Sequence, residues 1–78
     1  MDYTVTACRR GGYNIVVDAD YDEVLELLED QDVEFLSRTP HLAVIRFDGE
    51  KLSVKPGKLV AKVEEEERAE ELAASLLD

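Results

Sequence analysis

The sequence predicts an α+β fold: a single small antiparallel sheet with two helices packed on one face, in the order ββαββββα. Three observations carry that prediction. Asp48-Gly49, set between alternating apolar residues, is the preferred pair of a two-residue hairpin. Two segments, residues 21–30 and the acidic C-terminal stretch, place their apolar residues at helical spacing. Elsewhere apolar and polar residues alternate in short runs punctuated by Gly and Pro, as strands do.

Tyr3–Ala7 and Tyr13–Val17 are rich in β-branched and aromatic residues and read as the first two strands. A two-residue Gly11-Gly12 loop would mix faces across the pair. A three-residue loop, Arg10-Gly11-Gly12, sets Arg9 opposite Tyr13, Ala7 opposite Ile15 and Val5 opposite Val17, with Gly12 left-handed. Tyr3, Val5, Ala7, Tyr13, Ile15 and Val17 then share the core face. Thr4, Thr6, Cys8, Asn14, Val16 and Asp18 take the other.

Asp20-Tyr21-Asp22-Glu23 has capping-box spacing, and Tyr21, Val24, Leu25 and Leu28 form the stripe of a helix from about Tyr21 to Asp30. Val33–Ser37 is a short strand, ended by Arg38-Thr39-Pro40. The Asp48-Gly49 hairpin sets Phe47 opposite Glu50, Ile45 opposite Leu52 and Ala43 opposite Val54. Pro56-Gly57 makes the next turn, and Leu59, Ala61 and Val63 return on the apolar face. The last segment, "EEEERAEELAASLLD", is a helix with the stripe Ala69, Leu72, Ala73 and Leu76, and its four glutamates from Glu64 fall in the first turn. The expected core is Val5, Ile15, Val17, Ile45, Phe47, Leu52 and Leu59 beneath Val24, Leu28, Leu72 and Leu76.

Composition narrows the classes of function. Seventy-eight residues make one domain, 1–78, near the small end of what folds without a staple. One cysteine and one histidine leave a zinc site short of ligands and exclude an internal disulfide. No apolar run approaches the ~20 residues that span a bilayer, and Met1-Asp2-Tyr3 does not begin a signal peptide. The expectation is a cytoplasmic protein without a membrane partner. Scarce Asn, Gln, Cys and Met beside abundant Glu, Lys and Arg point to a thermophilic source.

Catalysis is not expected. No P-loop, GxGxxG or nucleophile elbow is present. His41 follows Pro40 in a turn and reads as a surface residue, and Cys8 reads as a half-buried small residue although Arg9 and Arg10 stand beside it. Asp18, Asp20 and Asp22 lack the glycine of a calcium loop, and Asp20 is better used as a cap. No cofactor, metal or small-molecule site is expected. Arg9-Arg10-Gly11-Gly12 could grip a phosphate, but a tight turn explains the glycines, and Arg9 against Tyr13 is an equal local role for the arginine.

The net charge of −10 is unevenly spread. The strand regions, residues 1–17 and 33–63, hold eight bases against four acids; residues 18–32 hold eight acids and no base; residues 64–78 hold seven acids and Arg68. An acidic helical layer therefore backs a basic sheet. The layout and the stretch "RTPHLAVIRFDGEKLSV" are similar in part to the middle strands of one repeat of the TATA-binding protein family, whereas the first hairpin departs from that repeat's strand-then-helix start. The functional expectation is a non-catalytic interaction module that docks a protein partner or itself through the open sheet face. The alternative is a nucleic-acid-binding module using the same face. The candidate contact residues are Arg46, Lys51, Lys55 and Lys62, with Val44 and Val60 between them. The absence of aromatics from that face ranks the protein partner first, because single-strand readers stack bases on them.

Overall fold

The hydrophobic pattern of the strands is realised as a six-stranded antiparallel sheet with order β1-β2-β6-β5-β4-β3. The computed structural model describes residues 2–77. The strands are β1 (Tyr3–Ala7), β2 (Tyr13–Val17), β3 (Glu34–Arg38), β4 (Ala43–Phe47), β5 (Glu50–Lys55) and β6 (Lys58–Ala61). The helices are α1 (Tyr21–Glu29) and α2 (Glu66–Leu77), giving the order ββαββββα. Met1, and Asp78 at the end of the expected last helix, lie outside the described residues.

Antiparallel neighbours share a face, so the register decides what is buried. Ile15, Ile45, Leu52, Val54 and Leu59 are fully buried on one face, beneath Val24 and Leu28 of α1 and Leu72 and Leu76 of α2. Each such side chain gains roughly 1.5–3 kcal/mol by leaving water. Among the described residues no charged side chain is buried, and Tyr21 alone brings a hydroxyl into the core. Leu77, beyond the stripe read from the sequence, also joins the core. Val5 and Phe47 pack against the core only half-buried, since β1 is an edge strand and Phe47 adjoins the exposed hairpin turn.

The β4–β5 hairpin has the expected register, with Phe47 opposite Glu50, Ile45 opposite Leu52 and Ala43 opposite Val54. Asp48 and Gly49 both take positive φ, 52° and 80°, as a type I′ turn requires. The β1–β2 hairpin differs from expectation. Ala7 pairs with Tyr13, Val5 with Ile15 and Tyr3 with Val17. The turn is therefore Arg9-Arg10-Gly11, closed by Cys8 and Gly12 through Cys8 N–H to Gly12 C=O at 3.1 Å. A shift of two residues preserves parity, so the buried face is unchanged while Arg9 leaves the strand and does not face Tyr13.

The helices also depart in detail. Asp20 holds the N-cap position of α1, but its side chain makes no capping hydrogen bond. Only Glu66 and Glu67 occupy the first turn of α2, with Glu64 and Glu65 ahead of it. β3 begins at Glu34 rather than Val33 and carries a bulge between Phe35 and Ser37 that leaves Leu36 as its extra residue. A bulge on an edge strand discourages further pairing there. No described helix is long and apolar enough to cross a membrane.

Three polar ties hold the helices to the sheet. Buried Tyr21 donates its O–H to the Thr39 carbonyl at 2.8 Å, fixing the start of α1 against the β3–β4 turn. Burial pushes its phenol above the usual tyrosine range. Glu29 at the end of α1 pairs with Arg38 at 2.6 Å, and the Arg38 guanidinium lies 5.3 Å from the Phe35 ring centre. Arg68 of α2 reaches the β4–β5 turn, bridging Asp48 at 3.1 Å and Glu50 at 3.3 Å while donating to the Asp48 carbonyl at 2.9 Å.

Two outcomes follow from this packing. Leu52→Ala should lower unfolding free energy by about 2–5 kcal/mol, and Phe47→Ala should cost less than a fully buried aromatic would. Denaturant titration checks both, and a larger loss at Phe47 would contradict the burial assigned here. The twelve residues of α2 are too few for a stable isolated helix, so their stability comes from the core they cover. Deleting residues 64–78 should leave an aggregating chain without a cooperative thermal transition; a soluble, cooperatively melting truncation would remove α2 from that role.

Candidate functional site

The sheet face turned away from the helices is organised in rows that cross the strands. Its middle row is neutral: Ser37 stands opposite Val44, Val44 opposite Ser53, Ser53 opposite Val60, Val60 opposite Asn14 and Asn14 opposite Thr6. Val44, Ser53, Val60 and Asn14 are half-buried by their neighbours. No aromatic residue lies in this row, because Tyr3, Tyr13, Phe35 and Phe47 pack against the core and Tyr21 belongs to it.

A basic row borders the strip on each side. On one side Glu34 faces Arg46 and Arg46 faces Lys51. Continuing the β5–β6 and β2–β6 registers by one residue brings Lys51 to Lys62 and Lys62 to Gly12. On the other side Lys55 faces Lys58, Lys58 faces Val16 and Val16 faces Thr4. Val16 is 44% exposed and Leu42, beside Lys55, is 39% exposed. The six residues expected to form the contact surface thus share one face. Lys58 belongs with them, and its parity was already visible in the sequence.

The ion pairs are distributed unequally. Of the nine lysines and arginines, Arg38, Arg46 and Arg68 make ion pairs. Arg46 does so weakly, 3.9 Å from Glu34. Arg9, Arg10, Lys51, Lys55, Lys58 and Lys62 have no acidic partner among the described residues. All of these lie on the open face or at the β1–β2 turn that continues its first basic row. Like charges set opposite one another in a strand pair are destabilising, by amounts of order 0.2–1 kcal/mol.

The turn "RRGG" adjoins an open cleft of about 520 Å³ lined by Cys8, Arg10, Gly11, Gly12, Lys62 and Glu64 among others. Its glycines have backbone reasons. Gly11 (φ 91°) donates its N–H to the Cys8 carbonyl at 3.2 Å to close the turn. Gly12 (φ 82°) lies so close to β6 that a Cβ would sit 2.6 Å from the Ala61 carbonyl oxygen. Arg9 and Arg10 are exposed, and Cys8 is half-buried.

His41 is exposed in the β3–β4 turn, where Thr39 Oγ1 accepts from the N–H groups of His41 and Leu42 at 3.3 and 3.0 Å. Thr39 is the organising residue there. Asp18, Asp20 and Asp22 are exposed, and among the described residues no three His, Cys, Asp or Glu side chains converge as metal ligands would. Sequence reasoning missed Arg68 as a tie to the β4–β5 turn; a single base in an otherwise acidic helix was its only local signal.

In comparisons with protein-family models, with curated proteins and with solved structures, the chain matches none.

The two turn glycines should separate on substitution. Gly11→Ala meets no neighbouring atom and carries only left-handed backbone strain, of order 1 kcal/mol. Gly12→Ala adds a backbone clash that β6 must yield to, so its loss of stability should be clearly larger. Equal melting temperatures for the two variants would refute the close β2–β6 approach at Gly12.

Proposed function

We propose that this protein is a small non-catalytic interaction module that docks a protein partner through the open, basic face of its sheet. One observation carries the reading: in a chain of net charge −10, the six bases without an acidic partner gather at that face and the adjoining turn. Acids for internal pairing are plentiful but sit on the helical side. The repulsion along Arg46, Lys51 and Lys62, and between Lys55 and Lys58, is relieved when an acidic surface covers them. The valines and small polar residues of the middle row supply the apolar contact, and the acidic helices repel the same ligand.

Docking of two copies face to face would bring basic rows against basic rows, so charge complementarity favours a different, acidic polypeptide. A nucleic-acid ligand is the second reading, supported by the same bases. Against it stands the helix-ward placement of every aromatic ring, which removes the stacking platforms of single-strand binders.

Photocrosslinking from position 53 in a cell lysate tests this reading. The expected adduct is protease-sensitive and nuclease-resistant, disappears with the Arg46→Glu, Lys51→Glu double variant, and is not formed from position 26 on α1. Nuclease-sensitive adducts would transfer the face to the nucleic-acid reading. Adducts formed from position 26 alone, or none from position 53, would sink the proposal.

A further inference from the structure

We propose that the occupant of the open face is an acidic amphipathic helix, lying across the strands with its apolar stripe on the neutral middle row. This rests on the protein-docking reading above and names the shape of the partner. The first support is width. Residues on one face of a strand repeat about every 6.7 Å, so the two basic rows, one repeat to either side of the strip, stand about 13–14 Å apart. A helix with its side chains is about 10–12 Å across and fits between them, its flanks within reach of lysine side chains on both sides. A single extended strand has a backbone only about 4.8 Å wide in the hydrogen-bonding direction and fills the space between the rows less completely.

The second support is length. From Val44 on β4 to Thr6 on β1 the strip crosses β5, β6 and β2, four strand spacings or about 19 Å. That equals about 13 residues of helix, or between three and four turns. The third support is charge balance. Arg46, Lys51 and Lys62 on one side, and Lys55 and Lys58 on the other, suit a helix with a few acids on each flank. A nucleic-acid duplex over the same 19 Å would bring roughly eleven phosphates, twice what these bases neutralise. The neutral strip is equally telling: Val44 and Val60 alternate with Ser53 and Asn14, an uncharged surface that suits apolar side chains and suits bare phosphate poorly.

The probe is a synthetic peptide of about 14 residues with a leucine stripe at helical spacing and glutamates on both flanks. Its control is an isomer of identical composition, shuffled to abolish the stripe, and a short DNA duplex is the third ligand. The expected result on the full chain is that the striped peptide gains helicity by circular dichroism. Its amide shift changes should centre on Asn14, Val44, Ser53 and Val60 and extend to both basic rows. Lys51→Glu with Lys62→Glu should weaken binding by about tenfold or more, since attraction at two exposed sites becomes repulsion.

Equal binding of the shuffled isomer would overturn the helix and leave an acidic partner of unspecified shape. Tighter binding of the duplex, shift changes confined to α1 and α2, or no shift change at millimolar peptide would also overturn it. A position-53 protein adduct found together with any of those results would preserve the docking module while removing its helical occupant.

Discussion

Everything in this molecule depends on a core that contains no charged side chain. More than a third of the chain, 36%, is Asp, Glu, Lys or Arg, yet among the described residues none of these is buried, and the one polar group in the core is the Tyr21 hydroxyl. Taking an unpaired charge out of water costs far more than a small domain's total stability allows. Every charge must therefore stay at the surface: on the helices, in the turns, on the outer face of the sheet or, as with Arg38 and Glu50, at the rim of its helix-facing side. Strand parity then allocates them, because the side of the sheet that buries Ile45, Leu52 and Leu59 necessarily presents Arg46, Lys51, Lys58 and Val60 on the other. The same alternation that makes the core makes the basic rows.

Local rules made much of this readable. Asp48-Gly49 admits few turn geometries, and one turn fixed the register of β4 and β5 together with the faces of both strands. The first hairpin was legible only in part. Loops of Arg10-Gly11-Gly12 and Arg9-Arg10-Gly11 both contain three residues and both preserve parity, so alternation cannot choose between them. The closeness of Gly12 to the Ala61 carbonyl is a contact between residues far apart in sequence, with no local signature. The six candidate contact residues were found by parity alone, hence their common face. Arg68 was invisible for the opposite reason: its partners Asp48 and Glu50 lie about twenty positions away on another element.

Charge segregation also constrains how the helical layer holds. Acidic side chains crowd α1 and α2, so the few contacts made to those helices by bases matter out of proportion to their number. Arg38 secures the end of α1, and Arg68 engages Asp48, Glu50 and Glu71 from the first half of α2. Exposed pairs of this kind contribute little singly, whereas one guanidinium shared among three carboxylates loses its side-chain freedom only once. The arrangement leaves the lysines of the opposite face uncommitted.

The sheet order has a kinetic consequence. β3 to β6 form a continuous meander in which each strand pairs with its sequence neighbour, and β1 with β2 form a separate hairpin. Within the sheet, among the described residues, the β2–β6 ladder joins these halves, matching residues 13–16 to residues 58–61. Bringing those ends together closes a loop of roughly 45 residues, with a length-dependent entropy cost of about 3 kcal/mol before the ladder returns anything. The meander and the hairpin can each assemble from near-neighbour contacts, so closure of that seam should be the late event of folding. Amide exchange at Ile15 and Leu59, on either side of the seam, should then follow global unfolding, whereas β3 at the free edge frays independently.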